Sequence, residues 1–369
     1  MNGEPKSKSA QVRVLIVDDS AFMRTALSRM IALDPDLRVV GTAANGMEAL
    51  QVIPTLDPEV ITLDVEMPGI NGLETLRRIM AQFPRPVIMV SSATLKGAEI
   101  TFNALAAGAF DCVPKQLSTA SLDILHIRND LIVKIKAAAE SRHAKEHAKE
   151  KNQPDISRKP PRAELPRKET SSLGAAIVAV GISTGGPKAL EEILPQLPGD
   201  LGVPILIVQH MPAGFTGPFA ERLNKLCAVT IREAVNGEAV RPGVVYLAPS
   251  GFQMTVDRSN HSTVICLSDQ PRDQLHTPSA DVMMQSVAAA FHSQAMGVIM
   301  TGMGADGAQG MNAIYREGGF TLGQDESSCA VYGMPRICAG MGILDRVVSL
   351  EKIPGEILRA TRYRKTGVG

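Results

Sequence analysis

Neither sign of charge predominates in this chain: 38 Lys and Arg balance 38 Asp and Glu. A neutral chain has no global basic field, so nucleic acid is not an expected partner. Tryptophan is missing altogether, which excludes nothing. The five cysteines (Cys112, Cys227, Cys266, Cys329, Cys338) are scattered and never form a C-x-x-C pair. That pattern argues against a disulfide framework and against structural zinc, and for a reducing compartment. No apolar run reaches the roughly 18 residues needed to span a bilayer. Residues 1–11 are polar and offer no apolar stretch of the kind that marks a secretory leader. The expectation is a cytoplasmic protein that does not insert into membranes.

What the chain does have is two stretches of alternating strand and helix patterns. Between 12 and 139, short β-branched runs fall at 12–17, 37–41, 60–63, 87–90 and 109–113. Each is too short for a helix and too continuous for a half-exposed strand, as in a parallel sheet covered on both faces. Amphipathic stretches such as 20–33 and 72–83 lie between them. Five such units predict a flavodoxin-like, doubly wound five-stranded parallel sheet over 11–139. Residues 140–172 hold Pro154, Pro160, Pro161 and Pro166 among many charged residues. They read as a polar linker, with the part through Lys149 able to extend the preceding helix. From 173 to 365 the alternation resumes as a second doubly wound α/β domain with a mainly parallel sheet. Central strands are expected at 176–182, 205–209 and 297–301, a β insertion at 242–248 and 254–267, and a closing helix at 350–362.

In the first domain Asp18 and Asp19 end the first strand and Asp64 ends the third. The carboxyl ends of strands in a doubly wound sheet converge on one crevice. Three carboxylates there repel one another unless a divalent cation neutralises them, and oxygen ligands suit Mg²⁺. Ser91 at the end of the fourth strand offers a hydroxyl and Lys115 after the fifth an ammonium. Together these groups suit phosphoryl transfer to a carboxylate. Taken singly, Asp19-Ser20 could cap a helix and Asp64 could open a turn. Their convergence on strand ends favours a site.

The motifs V-D-D-S at 17–20, L-D-V-E-M-P-G-I-N-G-L at 63–73, V-S-S at 90–92 and V-P-K at 113–115 resemble the receiver domain of two-component response regulators. The resemblance implies that Asp64 takes a phosphoryl group from a histidine kinase. It also implies that Asp18, Asp19, Asp64 and the Glu66 carbonyl hold Mg²⁺, and that Ser91 and Lys115 bind the phosphoryl oxygens. Two positions depart from the family: Cys112 stands where an aromatic switch residue is usual, and Pro114 precedes Lys115 while Gln116 follows it.

In the second domain Gly181-Ile182-Ser183-Thr184-Gly185 follows an expected strand and precedes an expected helix. This is G-x-S-x-G in a strand–turn–helix context, which lifts the serine to a strand end beside a helix N-terminus. A phosphate cradle at Gly185-Gly186 is the rival, but G-x-G-x-x-G and a G-K-[ST] ending are both missing. His210, after the apolar run 205–209, is the expected base, with His276 in reserve. His261 and His292 fall in a turn and at a helix end. Asp306, after the strand at 297–301, is the expected orienting acid, ahead of Asp281 and Asp325. The order Ser, His, Asp differs from the Ser, Asp, His order of α/β-hydrolases.

The motifs G-I-S-T-G-G-P at 181–187, Q-H-M-P at 209–212, G-F-T at 214–216, Y-L-A-P at 246–249, H-T-P-S-A-D-V at 276–282 and T-G-M-G-A-D-G at 301–307 resemble the catalytic domain of the chemotaxis protein-glutamate methylesterases. That resemblance implies hydrolysis of glutamate methyl esters on chemoreceptors, and deamidation of receptor glutamines. Backbone N–H groups near Thr184 and Met303 are then the oxyanion donors, and the esterase chemistry needs no cofactor. The implied control is a receiver that packs over the hydrolase cleft until phosphorylated. Gln253 departs from the histidine often found before Met254; lying outside the triad, it is expected to affect substrate handling and not chemistry. A phosphorylation-dependent binding module, or an esterase acting on an ester outside chemotaxis, remains open at this point.

Overall fold

A computed structural model describes residues 11–91, 94–115, 121–150, 174–259, 262–271 and 274–362, with the backbone alone for 95–96, 121–126 and 144–150. The chain divides into two compact units, 1–154 and 155–369.

The first unit runs β1 (Val12–Val17), α1 (Ala21–Ala32), β2 (Leu37–Ala43), α2 (Gly46–Leu56), β3 (Val60–Asp64), α3 (Gly72–Gln82), β4 (Val87–Ser91), α4 (Leu95–Ala106), β5 (Asp111–Pro114) and α5 (Ser121–Glu150). Its five strands lie in the order β2-β1-β3-β4-β5, and every pairing is parallel. The expected strands are all there because β3 and β4 are buried along their whole length. Such strands must carry apolar residues on both faces. The helices start on short polar caps. Ser20 Oγ accepts from Met23 N, Asn45 Oδ1 from Glu48 N and Asn71 Oδ1 from Glu74 N, each satisfying an amide that has no partner inside its helix. Ser20, not Asp19, caps α1, which leaves both aspartates to the strand end. The helix α5 runs on to Glu150; 151–173 lie outside the described residues.

The second unit runs β6 (Ile177–Ile182), α6 (Gly186–Ile193), β7 (Ile205–Gln209), α7 (Thr216–Leu226), β8 (Thr230–Glu233), β9 (Val244–Leu247), β10 (Gln253–Arg258), β11 (Thr263–Ser268), α8 (Ala280–Phe291), β12 (Ala295–Ile299), α9 (Ala308–Arg316), β13 (Phe320–Gln324), α10 (Met334–Gly340), β14 (Arg346–Val348) and α11 (Ile353–Ala360). Seven strands form one sheet in the order β14-β13-β12-β6-β7-β9-β8, with every pairing parallel. The antiparallel pair β10–β11 stands apart as a ribbon.

This corrects the expected insertion. Residues 244–247 belong to the main sheet between β7 and β8, and only β10 and β11 form the inserted ribbon. Tyr246, in β9, shows why: a tyrosine in a short strand is compatible with either a wetted or a covered face. It is fully buried, with its hydroxyl accepting from Arg241 N and donating to Ala239 O. The strand expected at 297–301 sits two residues earlier, at 295–299, so Thr301 lies in the loop that carries Asp306. The closing helix is α11. His261 lies outside the described residues, while His292 ends α8 as expected.

Candidate active sites

Each unit gathers polar residues at the carboxyl ends of its central strands. In the first unit Asp18 follows β1 and Asp64 ends β3, the two strands that flank the switch in strand order. Both are buried and Asp19 is exposed, and their carboxylate oxygens lie within 4.8 Å of one another. The β1–α1 turn is held by Arg24, which donates to the Asp18 and Asp19 carbonyls, and by Ser20 N donating to Asp18 Oδ1. Lys115 reaches in from beyond β5, 2.8 Å from Asp64 Oδ2 and 3.1 Å from Asp18 Oδ2. Burial pushes the Asp64 carboxyl up to about 6; Lys115 opposes that shift and the Asp18 charge adds to it. One ammonium against three carboxylates leaves the site negative. Hard oxygen donors at this spacing suit a hard divalent cation.

Ser91 ends β4 beside Asp64, and its hydroxyl accepts from Thr101 Oγ1 at 2.8 Å. Glu66 N donates to Asp64 Oδ1 at 3.3 Å. Cys112 is buried in β5; burial pushes its thiol up to about 12, and its carbonyl accepts from Lys134 Nζ at 2.7 Å. The neighbouring Gln116 lies outside the described residues.

In the second unit β7, β6 and β12 lie side by side, and their ends carry His210, Ser183 and the Asp306 loop. Ser183 is thus the central member. Its N–H donates to Thr301 O, and its carbonyl accepts from Gly186 N. Gly185 has φ +79°, the left-handed conformation that turns the chain sharply into α6. A Cβ on Gly302 would fall 2.7 Å from Ser183 Cβ, so only glycine lets the 301–307 loop, with Met303, press against the serine.

His210 Nε2 lies 2.7 Å from Asp306 Oδ2. His210 Nδ1 is buried without a hydrogen-bond partner, and it is the ring nitrogen left to accept a proton. Asp306 sits over the N-terminus of α8. Its Oδ1 accepts from Ser279 Oγ at 2.6 Å and Asp281 N at 3.1 Å, and its Oδ2 accepts from Ala280 N at 2.7 Å. Burial alone would raise this carboxyl, but the His210, Ser279 and Ala280 bonds overcome that and hold it well below the usual carboxylate range. The geometry brings His210 together with Asp306 and not with the rivals. Asp281 accepts from Gly310 N and Asp325 from Ser328. The reserve base His276 stacks on His210, ring centroids 4.0 Å apart and 15° from parallel.

Sequence reasoning passed over Gln209. It is buried, and its Nε2 donates to both the Ser183 and His210 carbonyls at 3.0 Å, tying the serine turn to the histidine. The signal was its place between an apolar run and the histidine, where a polar residue needs a reason.

Residues 178–357 match the family model of the CheB methylesterases, and residues 14–126 match that of response regulator receiver domains. A protein-glutamate methylesterase/protein-glutamine glutaminase of Nitratidesulfovibrio vulgaris is 45% identical, over 94% of this chain and 98% of its own length. This chain belongs to the protein-glutamate methylesterase/protein-glutamine glutaminase family. The resemblance drawn from the motifs is borne out over nearly the whole chain. A relative of the same name from Pyrococcus abyssi is 42% identical over 97% of this chain and 95% of its own. Among solved structures, the CheB methylesterase catalytic domain of Thermotoga maritima is 37% identical over 50% of this chain and 98% of that one, with TM-score 0.49. Among the described residues, no helix is long and apolar enough to cross a membrane.

Proposed function

We propose that this chain hydrolyses glutamate methyl esters on chemoreceptors and deamidates receptor glutamines, through Ser183, His210 and Asp306, under control of phosphorylation at Asp64. In this reading residues 11–139 are the receiver, 140–172 the connecting linker and 173–365 the hydrolase, and the protein works in the cytoplasm.

The observation that carries the hydrolase reading is the His210–Asp306 bond at the strand end next to the Ser183 turn. Ser183 Oγ attacks the side-chain carbonyl carbon while His210 takes its proton. The tetrahedral oxyanion is met by N–H groups near Thr184 and Met303, at the N-terminal end of α6 and on the loop pressed against Ser183. Collapse expels methanol, or ammonia from a glutamine, which leaves with the proton returned by His210. Water then attacks the acyl-serine with His210 again as base, freeing a glutamate carboxyl. Asp306, charged throughout, holds the imidazole in one tautomer and stabilises its cationic form. No metal enters this scheme.

At the receiver site Asp18, Asp19, Asp64 and the Glu66 carbonyl would hold Mg²⁺, and the bound cation would supply charge neutralisation for phosphoryl transfer from a histidine kinase. Asp64 is the acceptor, Lys115 pairs with a phosphoryl oxygen and Ser91 receives another. A phosphoryl group adds up to about two negative charges in place of one.

A serine-directed fluorophosphonate tests the hydrolase reading without needing the receptor. The expected result is a single adduct on Ser183 in the native chain, lost in His210→Ala and retained in His276→Ala. Labelling that survives His210→Ala at the native rate would remove His210 as the base.

A further inference from the structure

The triad is held from behind by a segment with no regular secondary structure. Residues 276–279 supply two contacts at once: the His276 ring stacks on His210, and Ser279 both caps α8 and donates to Asp306. An irregular segment does not hold such positions by itself, because its backbone groups have no ladder to join.

Gly251 N donates to Thr277 O in the middle of the segment, and one side chain holds its two ends. Gln253 opens β10 and is 1% exposed. Its Oε1 accepts from Ser279 N at 2.8 Å. Its Nε2 donates to His276 O at 2.9 Å and lies 3.5 Å from Thr277 Oγ1. A single buried carboxamide therefore bonds both ends of the segment, one end carrying the stack on the base and the other the donors to the acid.

We propose that Gln253 is a positioning residue for the triad, acting on chemistry through the 276–279 segment. Sequence reasoning expected it to act on substrate handling, and the two roles separate in kinetics. A residue that touches substrate moves KM. A residue that places Asp306 and His210 moves kcat, because a misplacement of about 1 Å in a catalytic group can cost on the order of 100-fold. The role needs one donor and one acceptor. Leucine has neither, glutamate sets a second acceptor against the His276 carbonyl, and a neutral imidazole has both.

The test uses the full chain with methylated receptor, measuring methanol release. Gln253→Leu is expected to lower kcat by roughly 10- to 100-fold with KM within about 3-fold, and Gln253→Glu to do the same should the leucine variant not fold. Gln253→His is expected to recover kcat to within about 5-fold. The second readout is the low-field proton resonance of the His210–Asp306 bond, recorded without substrate, which should shift or broaden in Gln253→Leu and Gln253→Glu. A raised KM with kcat held would overturn the proposal, as would a lower kcat with that resonance unmoved, or a Gln253→His variant as slow as Gln253→Leu. The kinetic arm rests on the esterase reading. If the native chain releases no methanol, that reading fails, while the resonance still decides the role of Gln253.

Discussion

Asp64 and Asp306 both have buried carboxylates, the first ending a parallel strand and the second on the loop that follows one, and their surroundings treat charge in opposite ways. Around Asp306 the protein supplies its own compensation: an imidazole, a hydroxyl and two helix-terminal amides. The charge is held however deep it lies, which suits the orienting role proposed for Asp306. Around Asp64 burial prevails, the Asp18 charge adds to it, and Lys115 compensates in part, so the carboxyl sits near 6. In the proposed reading that site is completed from outside, by a cation and a phosphoryl group. A carboxylate satisfied by its own chain is a fixed part of a machine. One left short suits the arrival of a signal, the role proposed for Asp64.

The contrast predicts different responses to damage. The largest effect is expected in the hydrolase. His210→Ala should lower turnover by about 10⁶-fold, as loss of the base does in a well-studied serine hydrolase. Asp306→Asn should lower it by about 10⁴-fold with the fold intact, because the imidazole is left in the wrong tautomer. Both are measured as methanol released per enzyme. Asp64→Asn should leave unstimulated turnover within about 3-fold and remove the response to a small-molecule phosphodonor with Mg²⁺.

The two acids should also give stability opposite slopes with pH. The native Asp64 pKa lies above its unfolded value, so between about pH 4 and 6 the native state binds more protons. Without divalent cation the first unit should lose stability as pH rises through that window, by roughly 1–3 kcal/mol. Mg²⁺ or Asp64→Asn should flatten the slope in urea melts. Asp306 is depressed, so its contribution is present above its unfolded pKa of about 4 and is lost as pH falls below it. Identical slopes for the two units would break the contrast. The smallest effect concerns Cys112, whose thiol is buried and pushed up to about 12. It should resist a thiol reagent at pH 8 until denaturant is added, because the thiolate is the reactive form.

Much of this contrast was legible in the chain. The runs at 60–63 and 87–90 announced strands buried on both faces. Residues at strand ends announced crevices, since topology alone brings Asp18 to Asp64 and Ser183 to His210. Neutral polar residues with distant partners were harder to read. Gln209 and Gln253 are ordinary glutamines until the sheet brings Gln209 across Ser183 and the ribbon brings Gln253 behind Ser279. The strand at 244–247 was assigned to the insertion because its burial comes from both flanking strands, which local alternation does not reveal. The edge strand β14 is three residues long with none of them buried, so it leaves almost no pattern.

The most direct measurement is methanol release from methylated chemoreceptors by the full chain, with and without phosphodonor and Mg²⁺. The native chain should release methanol, and faster with phosphodonor; Asp64→Asn should keep only the slower rate, and Ser183→Ala should release none. Release by Ser183→Ala at the native rate would contradict the account at its centre.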